Sequence, residues 1–515
     1  MIGDELKYRI YAAFGHVPTA DQEQAVDCFT RFMTDRNERA VMVMRGSAGT
    51  GKTSLAASMV RALLSLQQHL VLMAPTGRAA KMFSLYADHA AYTIHRRIYR
   101  QQSLEGGFSL NFNSAHDTLF IVDEASMVSL SAGTSFTSFS AQNGVGSMTG
   151  GGAGLLDDLI QFVYNDRNCR LMLIGDHAQL PPVGETESPA LRGDVLRGYG
   201  LHVHKCTLNE VLRQSSDSGI LYNATTVRNQ LSVLSEPSRR SMGIGERVLL
   251  PRIRFQGFSD VRRVTGEELI ETLASSYAKA GLDDTLVVTR SNKRANIYNQ
   301  GIRNMVLGRE DELCTGDQLM IVKNNYSLSL ASATAAGQQT ASTGKGDAGG
   351  GLTFLANGDR AVVRRVRNIH EMHGFRFAEV TMNFPDYDDY ELTTTVMLDT
   401  LTSEAPALTR EQQEQLYQRV MEDYQDIPLK ADRLKKVKAD RYYNALQIKF
   451  AYAATCHKAQ GGQWAHVYVD QGYMTDDMLT PDYLHWLYTA FTRATEKLYL
   501  VNWPRTQTDG PLDGD

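Results

Sequence analysis

Short apolar runs recur along the first part of the chain, and each run ends in a string of polar or glycine residues. Between the runs, apolar residues repeat at helical spacing, as Ala25, Phe29 and Phe32 do. The runs predicted as buried strands are 40–45, 69–74, 118–122 and 170–174. Strands that alternate with helices predict a parallel sheet, in which the functional residues follow the carboxyl ends of the strands.

A second α/β unit is predicted for residues 196–356 and 441–515, after a first unit at 1–195. Its strand-like segments lie at 286–289, 449–454, 466–469 and 497–501. Residues 357–440 first alternate apolar and polar positions, which predicts a compact insert resembling a β-barrel. They then continue into an amphipathic helix and a basic run at 429–441. A basic run is usually a solvated face, and contact with DNA is the alternative interpretation.

Three further segments interrupt this α/β pattern. A small hairpin is predicted at about 96–117, where apolar positions alternate around a pair of glycines. Residues 129–154 and 327–353 are rich in small and polar residues and are predicted to be flexible surface loops.

Composition narrows the class of protein. A chain of 515 residues is too long for one hydrophobic core, and its net charge of −5 restricts any contact with nucleic acid to a local groove. The five cysteines include no C-x-x-C pair, which is typical of a reducing compartment and gives no support for a zinc or iron–sulfur site. We see neither a signal peptide nor a membrane-spanning run, so we expect a cytoplasmic protein without a membrane partner.

The string GSAGTGKTS follows the first predicted strand and opens a helix. Gly46, Gly51, Lys52 and Thr53 match the phosphate-loop pattern, in which backbone N–H groups surround phosphates at a helix N-terminus. Lys52 would bind the terminal phosphates, and the Thr53 hydroxyl would ligate Mg²⁺. The alternative, a chance glycine turn, is disfavoured because all four fixed positions occur in the required strand–loop–helix context. The predicted ATP-binding residues of the loop are Gly46, Ser47, Ala48, Gly49, Thr50, Gly51, Lys52, Thr53 and Ser54.

Gln22 has two interpretations at this level. With Thr19 it fits a capping box at the start of a helix. Its amide could equally donate to and accept from an adenine base. This stretch alone does not decide between them.

Asp123 and Glu124 follow the third predicted strand. In an ATPase site the first carboxylate holds Mg²⁺, and the second orients and deprotonates the attacking water. Gln179 follows the next strand, where its amide could respond to the γ-phosphate. Its alternative role is that of a turn residue before two prolines.

Two arginines in the second unit, Arg213 and Arg493, are candidates for stabilising charge on the transferred phosphoryl group. If both arginines reach the nucleotide, ATP joins the two units and hydrolysis releases them. The ordinary alternative for each is a surface ion pair.

Small hydroxyl, imidazole and cationic residues near the strand ends suit contact with a polynucleotide backbone, which positions a strand without reading its sequence. Two similar strings, TIHR and TCHK, occur once in each unit, which favours a functional role over a structural one. The predicted strand-binding residues are Pro75, Thr76, Arg78, Thr93, His95, Thr455, His457 and Lys458.

The order of these strings resembles the superfamily 1 helicases of the 5′-to-3′ branch, in particular the RecD-like and phage Dda-like group. The matching strings, from residue 18 to residue 494, are TADQEQA, GSAGTGKT, APTGRAAK, TIHR, VDEASM, LIGDHAQLPPVG, LNEVLRQ, TCHKAQGGQ and LYTAFTRA.

The resemblance implies two RecA-like domains, with a hairpin insert in the first and an SH3-like barrel in the second. It favours contact between Gln22 and adenine. It also assigns the catalytic roles to Lys52, Asp123, Glu124, Gln179, Arg213 and Arg493. Thr76, Thr93, His95, Thr455 and His457 carry over as DNA contacts.

The function implied is an ATP- and Mg²⁺-dependent helicase that moves 5′ to 3′ on single-stranded DNA and unwinds duplex or forked DNA in replication, recombination or repair. We expect a monomer, with single-strand-binding or repair proteins as partners. Two alternatives remain: an RNA helicase, and an ATP-driven subunit of a larger repair or recombination complex that does not unwind alone. A P-loop kinase or GTPase would lack the LIGDHAQLPPVG and TCHKAQGGQ strings and the second α/β unit.

Overall fold

The computed structural model describes residues 2–101, 108–130, 154–165, 168–211, 217–234, 251–325, 355–475 and 478–509. The chain divides into two compact units. Unit 1 comprises Met1–Arg100, Ser109–Val288 and Cys456–Asp515, and unit 2 comprises Gln101–Phe108 and Thr289–Thr455. Among the described residues, no helix is both long and apolar enough to cross a membrane.

The first sheet of unit 1 is parallel, as the alternation of strands and helices predicts. Its spatial order is β3-β2-β6-β7-β1-β8. The strands are β1 (Ala40–Gly46), β2 (His69–Ala74), β3 (Ala91–Thr93), β6 (Thr118–Val122), β7 (Arg170–Gly175) and β8 (His202–Leu208). All residues of β6 are buried, so both faces of this central strand are covered.

Alternate residues of β1 enter two different apolar clusters. Met42 and Met44 pack on one face of the sheet, and Val41 and Val43 pack on the other. The helices whose residues join the first cluster are α1 (Ile2–Phe14), α2 (Ala20–Met33), α3 (Lys52–Ser65) and α4 (Gly77–Ala87). Those that join the second are α5 (Ile94–Ile98), α6 (Leu155–Val163) and α7 (Gly193–Gly198). A strand covered on both faces is continuously apolar, which explains why the sequence pattern located it.

A predicted hairpin follows α5. Strands β4 (Tyr99–Gln101) and β5 (Phe108–Leu110) form a two-stranded sheet, and the intervening residues lie outside the described part of the chain. Most of the two predicted flexible loops, at 129–154 and 327–353, also lies outside it.

Unit 1 also contains four adjacent strands of a second sheet, in the order β10-β17-β18-β9. Strands β17, β18 and β9 run parallel. These strands are β9 (Val261–Val264), β10 (Thr285–Thr289), β17 (Trp464–Asp470) and β18 (Ala494–Val501). The helices around them are α8 (Gly219–Leu234), α9 (Leu269–Lys279), the short α14 (Cys456–Ala459) and α15 (Pro481–Phe491), numbered in chain order with those of unit 2.

The predicted start of the second α/β unit at residue 196 is wrong. Strand β8 pairs in parallel with β1, so the first sheet continues to Leu208. β8 is an edge strand and carries His202, His204 and Lys205. Its polar residues interrupt the apolar run that a buried strand would show, which hid it from the sequence pattern.

Unit 2 contains a closed five-stranded barrel. Its strands are β11 (Gln318–Ile321), β12 (Arg360–Met372), β13 (Phe375–Phe384), β14 (Tyr390–Met397) and β15 (Leu446–Phe450). The predicted insert at 357–440 includes only β12, β13 and β14, because closure takes one strand from each side of that range. The predicted strand at 449–454 is therefore divided between β15 and the short β16 (Ala453–Thr455). The helices of unit 2 are α10 (Asn292–Gly301), α11 (Asp399–Thr402), α12 (Arg410–Glu422) and α13 (Lys430–Ala439).

Candidate functional site

The phosphate loop joins β1 to α3 in unit 1. Gly49 and Gly51 have φ values of +78° and +77°, a left-handed backbone that glycine adopts without steric cost. A Cβ atom at Gly46 would lie 2.7 Å from Lys52 Cγ and 2.8 Å from Thr50 Oγ1. The glycines therefore allow the tight curve that turns the loop's backbone around a ligand at the start of α3.

The Lys52 side chain lies between two acceptors. Its Nζ donates to the Ser47 carbonyl at 2.9 Å and lies 4.0 Å from Asp176 Oδ2. Ser47 O also accepts from Thr50 Oγ1 at 2.8 Å. This network holds the ammonium group at the loop, where a phosphate can replace its present partners.

Gln22 has the capping role that the sequence offered as one interpretation. Thr19 N–H donates to Gln22 Oε1 at 3.0 Å, and Gln22 N–H donates to Thr19 Oγ1 at 3.3 Å. Gln22 Nε2 donates to the Thr50 carbonyl at 3.0 Å, so the buried amide also connects α2 to the phosphate loop. Contact with adenine would require an exchange of these partners and stays a prediction.

Asp123 and Glu124 follow β6 directly. Asp123 N–H donates to Met73 O at 2.9 Å, and Asp123 Oδ1 accepts from Glu124 N–H at 2.9 Å. Glu124 has φ +52°, a left-handed conformation that is unusual for a residue other than glycine. Burial, followed by the charge of Glu124, raises the pKa of Asp123 to about 7. A divalent cation would favour the ionised form, and carboxylate and hydroxyl oxygens are ligands that Mg²⁺ accepts, so Asp123 and Thr53 fit this ion.

Gln179 follows β7 and is buried. Its Oε1 has no hydrogen-bond partner within the described ranges, and neither has the buried Ser126 Oγ beyond β6. Buried polar atoms without partners are uncommon, so both atoms are candidates for contact with a bound group. Both atoms belong to segments that follow strands of the first sheet.

Tyr488 and Asp176 are site residues that the sequence analysis did not single out. The buried Tyr488 hydroxyl donates to Asp176 Oδ2 at 2.5 Å and accepts from Ala48 N–H at 2.8 Å. Burial, followed by the charge of Asp176, raises the pKa of Tyr488 well above its usual value, so the phenol keeps its proton. One side chain of the LYTAFTRA string thus contacts both the phosphate loop and the LIGDHAQLPPVG string. The sequence pointed to Tyr488 and Asp176 only in that each lies inside a string that was already identified.

Further hydrogen bonds join helix α15 to the segment after β7. Thr489 Oγ1 accepts from Leu180 N–H at 2.7 Å, and His485 Nδ1 lies 2.9 Å from Ala178 O. Gln460 Nε2 donates to Leu180 O at 2.6 Å. The segment that contains Gln179 is therefore hydrogen-bonded to helix α15 and to the TCHKAQGGQ string. A displacement of this segment would break or shift those hydrogen bonds.

Replacement of Tyr488 by phenylalanine is expected to slow ATP hydrolysis stimulated by single-stranded DNA by about fivefold to 150-fold. The variant removes the hydroxyl donor to Asp176 Oδ2 and the acceptor of Ala48 N–H, which costs about 1–3 kcal/mol. The measurement is steady-state ATPase activity with and without single-stranded DNA.

Tyr483→Phe is the matched control for this variant. Tyr483 lies on the same helix, is buried, and donates to Gln471 Oε1 at 2.6 Å, away from the phosphate loop. We expect the control to lose similar stability in urea denaturation and to keep its ATPase activity. Equal ATPase losses in both variants would show that Tyr488 has only a structural role.

Arg493 is buried among backbone acceptors. Its Nε donates to Thr489 O at 3.0 Å, and its Nη1 donates to Gly462 O at 3.0 Å. Its Nη2 donates to Thr492 Oγ1 at 3.2 Å. The guanidinium group is thus positioned by α15 and by the loop before β17, and its contact with a phosphate stays a prediction. Arg213 lies outside the described residues.

The predicted strand-binding threonines have structural roles in this state. Thr76 Oγ1 accepts from Ala79 N–H at 3.2 Å and caps α4, and the buried Thr93 Oγ1 accepts from Arg96 N–H at 3.3 Å and caps α5. Thr93 is the last residue of β3, and Thr76 lies just after the neighbouring parallel strand β2, with Pro75 beside it. Burial lowers the pKa of His95 to about 4, so at neutral pH its imidazole would contact a strand without a charge.

Arg78 lies against the TCHKAQGGQ string. Its guanidinium carbon is 4.4 Å from the centre of the Trp464 ring, and it donates to Gln463 O. A Cβ atom at Gly461, where φ is +73°, would lie 3.1 Å from Thr76 Oγ1. Unit 1 therefore brings Thr76 and Arg78 together with residues of this later string.

The remaining predicted strand contacts are less enclosed. His457 is exposed and Lys458 is half-buried, both on α14 of unit 1. Thr455 is half-buried at the end of β16 in unit 2. A role for these three residues in strand binding stays a prediction.

Two family models match the chain. A model described as a UvrD-like helicase C-terminal domain matches residues 450–501, which include the TCHKAQGGQ and LYTAFTRA strings. A model described as an AAA domain matches residues 19–151, which include the phosphate loop, Asp123 and Glu124.

Similar proteins include an uncharacterized protein of Acanthamoeba polyphaga mimivirus. It is 21% identical over 525 aligned positions, which cover 90% of this chain and 96% of the viral protein. The ATP-dependent RecD2 DNA helicase of Deinococcus radiodurans is 31% identical over 145 residues, which cover 28% of this chain and 16% of that helicase.

Solved structures that align with the chain include a Pif1 helicase from Bacteroides in complex with ADP-AlF3 and single-stranded DNA. That alignment has 15% identity and a TM-score of 0.44 and covers 96% of this chain and 95% of the other. The Pif1 helicase from Candida albicans aligns with 16% identity and a TM-score of 0.39, over 96% of each chain.

Both family models match where the ordered strings predict them, and the matched part of the RecD2 helicase adds a relative from the same group. The chain is thus similar to a UvrD-like helicase C-terminal domain and to an AAA domain in its two matched regions, and over part of its length to a RecD2 DNA helicase.

Proposed function

We propose that this chain is an ATP-dependent DNA helicase that moves 5′ to 3′ along single-stranded DNA and unwinds duplex DNA at a fork. The observation that carries the proposal is the hydrogen bonding of Tyr488 to both Asp176 and the backbone of the phosphate loop. A motor requires such a connection, because the state of the nucleotide must change the affinity of another site for a strand.

Within the nucleotide site, Lys52 would bind the terminal phosphates, while Thr53 and Asp123 would hold Mg²⁺. When bound, Mg²⁺ neutralises charge on the phosphate oxygens. Glu124 would orient the attacking water and accept its proton. Gln179, whose buried Oε1 lacks a partner among the described residues, would respond to the γ-phosphate.

Arg493 and Arg213 would stabilise the charge on the phosphoryl group in the transition state. For Arg493, the support is its position just after the C-terminus of α15, the helix that also carries Tyr488. The guanidinium would have to exchange its present carbonyl partners for phosphate oxygens. Loss of the γ-phosphate after hydrolysis would allow the two sheets of unit 1 to separate.

The proposed polynucleotide is DNA, bound first as a single strand. The matched relative is named a DNA helicase, and the Bacteroides Pif1 structure contains single-stranded DNA. Thr76 and Arg78 would provide contacts beside Gly461 and Trp464, because hydroxyl, guanidinium and backbone groups suit a phosphate backbone. Pro75, Thr93, His95, Thr455, His457 and Lys458 would complete these contacts.

Unwinding requires little work for each step. One base-pair step of DNA costs about 1.4 kcal/mol on average to separate. The hairpin formed by β4 and β5 would therefore need only to prevent re-annealing while the motor advances. We propose that the protein acts as a cytoplasmic monomer, with single-strand-binding or repair proteins as its partners.

The test is strand displacement with ATP and Mg²⁺ on duplexes that carry a 5′ tail, a 3′ tail or both. We expect displacement whenever a 5′ tail is present and none with a 3′ tail alone. Lys52→Ala should reduce the rate by at least about a hundredfold, because it removes the cation that binds the terminal phosphates. Lys205→Ala, on the edge strand β8, is the control for loss of a cation from the same sheet and should retain activity.

Three other outcomes would each contradict part of the proposal. Displacement from a 3′ tail alone would contradict the polarity. DNA-stimulated ATPase activity without displacement would favour the subunit of a larger complex. Faster displacement on RNA than on DNA of the same sequence would favour the RNA helicase, since contacts with the 2′-hydroxyl distinguish the two polymers.

A further inference from the structure

We propose that Asp35, His202 and His204 form a binding site for a divalent transition-metal ion, and that zinc is the ion they fit. The nucleotide site uses none of these residues. His202 and His204 are two positions apart on β8, so their side chains leave the same face of the strand. β8 is an edge strand of the first sheet, and the His202 side chain is 56% exposed, so solvent reaches the cluster from the His202 side.

The three side chains converge on one point. Asp35 Oδ2 lies 2.6 Å from His202 Nδ1 and 2.7 Å from His204 Nε2. The two imidazole rings are 5.0 Å apart, centre to centre, and inclined at 80°. Within the described part of the chain, no other group of three histidine, cysteine or carboxylate ligands has atoms this close together.

The backbone fixes Asp35 independently of the histidines. Its carbonyl oxygen accepts from the Arg170 guanidinium, and its Oδ1 accepts from Asn37 N–H at 2.9 Å. Phe32, at the end of the same segment, packs against His204 with ring centres 5.8 Å apart. The carboxylate and one imidazole are therefore held in place before an ion arrives, which lowers the cost of binding.

The donor set selects among metals. Two imidazole nitrogens and one carboxylate oxygen suit zinc and its transition-metal neighbours, whereas Mg²⁺ prefers oxygen ligands alone. Tetrahedral zinc with bonds of about 2.0–2.1 Å places its ligand atoms roughly 3.3 Å apart. The present separations are those of hydrogen bonds, so binding requires shifts of under about 1 Å in rotatable side chains. Water would complete the coordination.

Such an ion would link α2 to β8, two elements that lie next to the nucleotide site. Asp35 follows α2, the helix whose first turn contains Gln22, and β8 pairs with β1, the strand that leads into the phosphate loop. A bound ion would join the end of this helix to the edge of the sheet. We therefore assign it a structural role, separate from the Mg²⁺ of the nucleotide site.

The test uses the full chain, without an affinity tag and without nucleotide, after treatment with a chelator. Titration with zinc chloride by calorimetry should give one site per chain with a Kd below about 10 µM, unaffected by excess Mg²⁺. Cobalt(II) should give the visible absorption of a low-symmetry site, and zinc should raise the melting temperature.

His202→Ala is the first variant, because the His202 side chain is 56% exposed and its loss does not endanger the fold. We expect its Kd for zinc to rise at least about tenfold, with the same result for His204→Ala. His69→Ala, an exposed histidine on β2 of the same sheet, is the control and should bind zinc as the unchanged chain does. A wild-type chain that binds no zinc, or variants that bind zinc as tightly as it does, would overturn the proposal.

Discussion

Glu124→Gln is expected to slow DNA-stimulated ATP hydrolysis by about 10²–10⁴-fold while it leaves nucleotide affinity within about threefold of the unchanged chain. The amide has nearly the same shape as the carboxylate, so the Asp123 side chain keeps the backbone N–H of residue 124 as its donor. What is lost is the acceptor for the proton of the attacking water. The measurements are single-turnover hydrolysis and equilibrium binding of a fluorescent ATP analogue.

A second consequence of this variant concerns Asp123. The charge of Glu124 contributes to the raised pKa of Asp123, so its removal should lower that pKa from about 7 and ionise Asp123 more fully at neutral pH. Mg²⁺-dependent nucleotide binding should then persist to lower pH in Glu124→Gln than in the unchanged chain. Glu187→Gln, at an exposed position after β7, is the control for loss of a negative charge. Full activity of Glu124→Gln would exclude Glu124 as the base.

Arg493→Lys is expected to lower the maximal rate of DNA-stimulated ATP hydrolysis by about 10³-fold or more. Removal of an arginine that contacts the phosphoryl group costs about 10³–10⁵-fold in related chemistry. Lysine keeps the positive charge but lacks the planar fork of donors that now binds Thr489 O and Gly462 O. Because the effect belongs to the transition state, kcat should fall while KM for ATP changes little.

The control for Arg493 must separate chemistry from folding. Arg263→Lys changes an exposed arginine on β9 of the same sheet and should leave both rate and stability unchanged. Since Arg493 is buried, the melting temperature of its variant is measured beside the rate. If the ATPase loss in Arg493→Lys is no larger than its loss of folded protein at the assay temperature, Arg493 has only a structural role.

The sequence predicted the parts of the fold that depend on local patterns. β2 and β6 have the bounds that their apolar runs indicated, and β6 is buried along its whole length, as a strand covered on both faces is. The phosphate loop was predictable for a related reason, since its backbone conformation demands glycine at fixed positions. Barrel closure was not predictable, because it depends on pairing between distant segments, such as Leu319 with Phe450.

Contacts between individual side chains of the candidate site could not be predicted from the sequence either. Tyr488 and Asp176 are 312 positions apart, and no periodicity connects a phenol to a carboxylate over that distance. The two interpretations of Gln22 could not be separated, and the capping role of Thr76 was not predicted, because a helix cap and a ligand contact use the same polar atoms. For these residues the sequence shows which polar groups are available, and only the structure shows which hydrogen-bond partners they have.

The distribution of the two sheets along the chain has a consequence for synthesis on the ribosome. Every strand of the first sheet has been made by Leu208, so this sheet has all its strands long before translation ends. The second sheet needs β17 and β18, which emerge only after β15, the strand that completes the barrel. Since domains fold as their segments become available, we expect the phosphate loop to be formed while its partner Tyr488 is still untranslated. A nascent chain arrested before α15 would then bind nucleotide without the tyrosine that connects binding to the second sheet.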